Sequence, residues 1–350
     1  MLPLTDPLGN TDHNLNYISL EYSYTELYDA TLGFSDSRIL GQGSYGKVYR
    51  GTLRDETEVA IKVLTSPKQS GFREEVQVLS KFRHPNLVIL LGFARHLNTR
   101  FLVYELLSGD LATLLPSLTW QTRLSVLIDS CMGLCHLINA KVFHRDIKSQ
   151  NILLDREKRA KIADLGLSAL AEHHSLMVTN CAGTLGYADP SYVNSHRVTE
   201  KTELYSFGIV ILEVLTGKPP IQRDERGQVV FTFQGVVTRS ILHALDSHCQ
   251  WPMRVAEDLS RIALNCVSHN STFIQTVNAL RAVNDIDLHA TIANLPPYLL
   301  SQTTRDPLEQ IDENVARLVD LGFPDSLALT AIRKYETIEL AIEWLLDNPS

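Results

Sequence analysis

The sequence predicts an α+β protein, with a small antiparallel sheet ahead of a mainly helical region and a short three-helix unit at the C-terminal end. Three observations predict it. From Ile39 to Leu64, β-branched and apolar runs punctuated by glycine flank a turn at Arg54-Asp55-Glu56-Thr57, which is the pattern of paired strands. From Leu124 onward, Leu124, Leu127, Ile128, Cys131, Leu134 and Ile138 recur at the i, i+3, i+4, i+7 spacing of a buried helix face. Near the end, Ile311, Val315, Leu318 and Val319 form one helical stripe, Ala328, Ala331 and Ile332 a second, and Ile338, Ala341, Ile342 and Leu345 a third, so three short helices share one small core.

The connecting segments divide the chain further. Residues 1–33 read as a polar, irregular lead-in apart from one short helix over Tyr24 to Thr31. Residues 72–82 are helical in period. A stretch holding Pro296, Pro297 and Pro307, with little periodicity, reads as a linker over 285–307, and 308–348 is the terminal unit. Nine Asp/Glu stand against three Lys/Arg between residues 308 and 350, so most of the excess negative charge sits there.

Bulk properties exclude several function classes. A formal net charge of -8 over 350 residues offers no basic field for a nucleic-acid backbone or an anionic membrane. The five cysteines, Cys131, Cys135, Cys181, Cys249 and Cys266, are odd in number and lack paired spacing, which points to reduced thiols rather than a disulfide framework or a zinc site. Met1-Leu2-Pro3-Leu4-Thr5-Asp6 shows no basic-then-apolar signal, Leu2 stands where myristoylation needs glycine, and the best apolar run, Phe207 to Leu215, contains Gly208 and Glu213 and is too short for a bilayer. The expectation is a cytoplasmic protein without membrane insertion.

The chemistry-bearing motifs follow in order. Gly41-Gln42-Gly43-Ser44-Tyr45-Gly46-Lys47-Val48 is a loop whose missing Cβ atoms let backbone N–H groups approach phosphate oxygens. Alone it is also compatible with a dinucleotide-binding turn. Val59-Ala60-Ile61-Lys62 then places a lysine on a strand, and Glu75 on the next helix is its potential partner, a pair suited to orienting α- and β-phosphates. In isolation these two would read as a surface lysine and a solvated acidic face. His144-Arg145-Asp146-Ile147-Lys148-Ser149-Gln150-Asn151 supplies a carboxylate to accept a hydroxyl proton (Asp146), a cation to neutralise phosphoryl charge (Lys148) and an amide to hold Mg²⁺ (Asn151). Asp164-Leu165-Gly166 adds a second hard oxygen ligand, with Leu where Phe is more usual.

On these motifs, residues 34–284 resemble a protein kinase, and specifically the plant receptor-like kinases and the related interleukin-1-receptor-associated kinases. Further stretches that carry the resemblance are His84-Pro85-Asn86-Leu87-Val88, Leu102-Val103-Tyr104-Glu105, Gly183-Thr184-Leu185-Gly186-Tyr187 and Tyr205-Ser206-Phe207-Gly208. The resemblance implies a two-lobed fold with ATP and Mg²⁺ in the crevice and Ser/Thr-bearing protein substrates, the latter from Lys148 and Thr184. It implies that Gly41, Gly43, Gly46, Val48 and Ala60 enclose the nucleotide. Tyr104 becomes the gatekeeper, Glu105 and Leu107 offer backbone groups to adenine, and Asp110 approaches the ribose. Arg145 ahead of Asp146 is similar to kinases governed by activation-loop phosphorylation, with Thr179 and Ser175 as candidate sites.

Departures from the family pattern keep a second class open, a nucleotide-binding scaffold without turnover. The family's buried glutamate is Ser191, and its arginine partner is not visible around Asn270-Ser271-Thr272-Phe273, so both halves of a buried ion pair read as absent; joint loss is compatible with folding. The aspartate expected before Tyr205 is Glu203, one methylene longer. Residues 220–270 match poorly, which predicts trimmed or displaced helices.

Residues 308–348 resemble a ubiquitin-associated domain through Leu321-Gly322-Phe323 and Ala341-Ile342-Glu343-Trp344-Leu345-Leu346. That resemblance implies ubiquitin binding through Leu321, Gly322, Phe323, Leu345 and Leu346, or docking of the unit on the kinase domain.

Overall fold

The computed structural model describes residues 13–43, 46–65, 71–171, 175–179 and 181–293. The linker beyond Ala293, the whole terminal unit with its proposed ubiquitin-binding residues, and Ser44 and Tyr45 of the glycine loop lie outside the described residues. By its contacts the chain divides at Asp285/Ile286.

A 3₁₀ turn (His13–Tyr17) and helix α1 (Tyr24–Ala30) precede five strands: β1 (Ile39–Gly43), β2 (Gly46–Thr52), β3 (Glu58–Thr65), β4 (Leu90–His96) and β5 (Thr99–Glu105), with helix α2 (Phe72–Lys81) between β3 and β4. The strands form one sheet in the order β1-β2-β3-β5-β4, antiparallel at every pairing. Alternation along β3 sets the use of each face. Val59 and Ile61 are fully buried in a cluster with Leu27 and Ala30 of α1 and Phe101 and Val103 of β5, which turns Ala60 and Lys62 to the opposite face.

Residues 13–33 therefore differ from the lead-in read from the sequence. Leu15, Leu27 and Ala30 are buried, and Tyr24 stacks on His96 with ring centroids 3.9 Å apart. The short helix read over Tyr24 to Thr31 is α1; the rest of the segment covers a sheet edge with its backbone and holds on by few, separated apolar residues.

The larger lobe is mainly helical. A short strand β6 (Gly109–Asp110) leads into α3 (Leu111–Leu114) and α4 (Trp120–Asn139). The stripe predicted from Leu124 is there, but Val126, Ser130, Cys135 and Leu137 are buried as well. Short strands β7 (Val142–Phe143), β8 (Ile152–Leu154), β9 (Ala160–Ile162), β10 (Ala169–Leu170) and β11 (Ser175–Met177) follow, then α5 (Pro190–Ser195), β12 (Arg197–Thr199) and α6 (Glu200–Thr216). The strands β6, β8 and β9 form a three-stranded sheet, and the catalytic-type motif lies between β7 and β8.

Helix α6 starts at a capping box, in which Thr199 accepts from Thr202 N and Thr202 Oγ1 accepts from Thr199 N, satisfying two N–H groups that the first turn leaves without partners. From Phe207 to Thr216 every residue is buried, as expected of a helix that is apolar all round. Among the described residues no helix is long and apolar enough to cross a membrane.

After α6, the poorly matched region is a hairpin of β13 (Ile221–Arg223) and β14 (Val229–Phe231), the six-residue α7 (Thr238–His243), and then α8 (Met253–Val267) and α9 (Phe273–Ala293). The hairpin and the six-residue α7 stand between α6 and α8, and α8 packs on α6. A residue missed by sequence reading holds this end together. Arg123 of α4 is fully buried and donates to Leu118 O, Val214 O and Leu115 O and, at 2.6 Å, to Asp246 Oδ2. Several hydrogen bonds are what a guanidinium needs to offset its lost hydration.

Candidate active site

The sheet and α2 bring the first group of charges together. The register sets Val48 opposite Lys62 and Ala60 opposite Tyr104, so the residues expected to enclose a nucleotide share neighbouring strands. Gly46 has φ +136°, and a Cβ there would fall 2.0 Å from Val63 O; only glycine lets β2 pass β3 at this point. At Gly41 and Gly43 a Cβ would meet nothing within 4 Å among the described residues. Internal packing does not demand glycine there, which fits a loop kept bare for the close approach of phosphate.

Lys62 Nζ donates to Glu75 Oε2 at 3.1 Å and to Asp164 Oδ1 at 2.6 Å. Burial alone would push the ammonium down, but the Glu75 and Asp164 carboxylates outweigh it and raise it above the ordinary lysine range. Burial likewise opposes ionisation of Asp164, yet Lys62 holds that carboxyl below its usual value. Glu75 is itself buried, and its other oxygen accepts from Leu165 N at 3.2 Å. Helix α2 is thereby tied to the Asp164-Leu165-Gly166 turn, where Asp164 adopts a left-handed φ of 62°, a backbone strain that surrounding contacts must maintain. Gly71 at the start of α2 approaches the same turn so closely that a Cβ would stand 2.1 Å from Gly166 O.

The second group lies on the loop after β7. Lys148 Nζ donates to Asp146 Oδ2 at 2.6 Å and to Thr184 Oγ1 at 2.9 Å, and the Thr184 hydroxyl donates to Asp146 Oδ1 at 2.7 Å. Asn151 Nδ2 donates to Asp146 O at 2.8 Å, which leaves Oδ1 as the end of that amide suited to a cation. With the Asp164 carboxylate this is a hard oxygen set, the chemistry a divalent cation on phosphates requires.

Glu203 supports this loop. Its carboxylate accepts from His144 N at 2.7 Å and Arg145 N at 3.0 Å, so the additional methylene is accommodated and both N–H groups are satisfied. Burial pushes the Glu203 carboxyl up, against the opposing pull of His144 and Arg145. His144 Nε2 lies 2.9 Å from Ala163 O, joining the loop to the approach to Asp164.

The Ser191 departure also has a structural answer. The buried carboxylate of this segment is Asp189, two residues earlier; it is 2% exposed, accepts from Ser191 N at 2.7 Å and lies 2.7 Å from His269 Nε2. The glutamate and arginine of the family's pair are not at the expected positions, and a different contact, from a shorter acid to an imidazole, links the segment to the turn after α8. Tyr187 is a further anchor, with its hydroxyl donating to Glu213 Oε2 at 2.7 Å and lying 3.1 Å from Ser149 Oγ.

The remaining expected residues are dispersed around the crevice. Tyr104 is buried, and burial pushes its hydroxyl well above the ordinary tyrosine range. The Glu105 carboxylate is engaged by Lys161 Nζ at 2.9 Å and Ile89 N at 2.9 Å, while Leu107 packs partly buried against the main core. Asp110 caps α3 by accepting from Thr113 N and Thr113 Oγ1, both at 2.9 Å. Arg145 Nη1 donates to Leu167 O at 3.2 Å. Ser175 Oγ accepts instead from Arg197 at 3.0 Å, and Thr179 is exposed.

Residues 34–280 match the protein kinase domain pattern. The chain belongs to the protein kinase family. Its kinase domain is 40% identical over 213 residues to the Arabidopsis thaliana proline-rich receptor-like protein kinase PERK2, a match covering 57% of this chain and 30% of that protein. It is 40% identical over 223 residues to PERK1 of the same plant, covering 60% and 34%. A leucine-rich repeat receptor-like serine/threonine-protein kinase, also from Arabidopsis thaliana, is 34% identical over 285 residues, covering 75% and 26%. The chain spans about a third or less of the length of these relatives, so the comparison concerns their kinase domains. Membership of the family implies use of ATP and a divalent metal.

Proposed function

We propose that this chain is a serine/threonine protein kinase that transfers the γ-phosphoryl group of Mg-ATP to protein hydroxyls. The observation that carries the reading is the pair of joined clusters: Lys62 held between Glu75 and Asp164, and Asp146 held by Lys148 and Thr184. Bound Mg-ATP supplies the phosphoryl group and much of the charge neutralisation. Glycines 41, 43 and 46 would leave the nucleotide room, Lys62 would bind its phosphates, and Asp164 and Asn151 would hold Mg²⁺. Asp146 orients the substrate hydroxyl and accepts its proton, while Lys148 stabilises negative charge on the transferring group. The Lys148–Thr184 contact and the serine/threonine kinase name of one relative support the hydroxyl class.

The alternative of a scaffold without turnover rested on Glu203, Ser191 and the poorly matched residues 220–270. The Glu203 bonds to the loop backbone and the Asp189–His269 pair supply what the first two departures would have removed, and no observation favours that alternative. Residues 308–348 are assigned to ubiquitin binding or to docking on the kinase domain on their sequence pattern alone, and a cytoplasmic location is part of the same proposal. The test is labelled-ATP autophosphorylation of the unsubstituted chain beside Asp146→Asn and Lys62→Met, with phosphosite mapping at Thr179 and Ser175. Label confined to the unsubstituted chain is the expected result; equal absence from all three, with ATP still bound, overturns it. Ubiquitin capture, with Phe323→Ala as control, tests the terminal unit.

A further inference from the structure

The residues ahead of the sheet connect its edge to α2. Leu15 is 1% exposed and belongs to the same core cluster as Phe72, Val76 and Leu79 of α2, and its 3₁₀ turn packs on that helix. A few residues later the chain runs beside β4, with Tyr22 N donating to Phe93 O at 2.8 Å and Phe93 N donating to Leu20 O at 2.9 Å. A Cβ on Gly92 would fall 2.4 Å from Leu20 O, so β4 is shaped for this close passage. Arg95 fastens both ends: it donates to Glu21 Oε1 and Oε2 at 2.7 and 2.8 Å and to Asn16 Oδ1 at 3.1 Å. Glu21 responds, its carboxyl held down by the Arg95 hydrogen bonds.

Helix α2 has ten residues, and Gly71 at its start gives it no side-chain cap. So short a helix does not hold its own place in water; the groups packed on it decide where it sits. We propose that residues 15–21 are a positioning strap, and that Leu15 is a positioning residue which seats α2 so that Glu75 meets Lys62 and Leu165 N. The inference rests on the kinase reading for its catalytic consequence, though the seating of α2 is measurable without activity.

Leu15→Ala and, as a milder surface change, Glu21→Gln are made in the full chain, each in the unsubstituted and in the Glu75→Gln background. The expected result for Leu15→Ala is a loss of about tenfold or more in kcat/KM for ATP, recovered by Leu15→Met. In the Glu75→Gln background the same change costs under about twofold, because the strap acts through Glu75. Glu21→Gln gives a smaller loss that vanishes in the same background. Equal losses in both backgrounds mean a general stability role and overturn the proposal. Hydrogen exchange of the α2 amides serves as a readout that needs no turnover: both strap variants are expected to speed it selectively relative to α4 and α6, and unchanged exchange overturns the strap. An unsubstituted chain that moves no phosphate while its strap variants still loosen α2 would overturn the kinase reading and leave the strap standing.

Discussion

Lys62 and Glu203 hold opposite ends of the cleft by opposite means. Lys62 is a cation shared by two carboxylates on separate elements, Glu75 of α2 and Asp164 of the turn after β9. Glu203 is a carboxylate whose oxygens accept from two successive backbone N–H groups. Were one carboxylate removed, the lysine would keep the other. The backbone clamp has no such exchange, since either N–H would be left unsatisfied in the core. The comparison teaches what each contact joins: the small-lobe charges link side chains of separate elements, whereas Glu203 is bound to the catalytic-loop backbone itself.

The largest expected effect is on chemistry. Asp146→Asn lowers phosphoryl transfer by about 10²–10⁴-fold, with the fold retained by circular dichroism; a smaller loss in single-turnover measurements would move the proton-accepting role elsewhere. Next come the two clamps, compared by chemical denaturation. Lys62→Met strands the buried Glu75 beside Asp164 and costs about 3–5 kcal/mol, and adding Glu75→Gln recovers part of it because the stranded charge is gone. Glu203→Ala costs about 1–3 kcal/mol for each abandoned N–H, and Glu203→Asp costs less. Should Glu75→Gln fail to rescue Lys62→Met, the small-lobe cluster would be no more tolerant of a lost partner than the loop clamp.

His269→Ala removes one of the two partners of the buried Asp189 carboxylate and is expected to cost about 1–3 kcal/mol, read as a lowered Tm and faster proteolysis within 181–195. The smallest effect belongs to the strap. Glu21→Gln costs about 1 kcal/mol or less at pH 7, since the Arg95 pair is partly exposed. Because the Glu21 carboxyl is held below its ordinary 4.5, its contribution is present above that value and is lost as pH falls through the depressed one. The stability gap between the unsubstituted chain and Glu21→Gln should therefore close in acid below 4.5, and a gap that persists there would separate the strap from this ion pair.

What could be read from the sequence was local. The glycine loop, the Lys62 strand, the Asp146 loop and the α4 stripe are each defined by residue type and spacing within a dozen or so neighbours, and backbone geometry converts such spacing directly into a strand, a turn or a helix face. The same reading passed over the strap, whose buried anchor Leu15 stands outside any periodic run, and Arg123, which looks like an ordinary helix-surface arginine until Val214 and Asp246 are brought to it. It also took Glu203 and Ser191 for weaknesses. Whether a longer carboxylate reaches two N–H groups 59 and 58 residues away, or an aspartate finds a histidine 80 residues on, depends on where the packed core sets each backbone. The sequence by itself determined the chemical types and their order along the chain; the tertiary structure decided the pairings, because a buried polar group takes whichever partner folding places within hydrogen-bond reach.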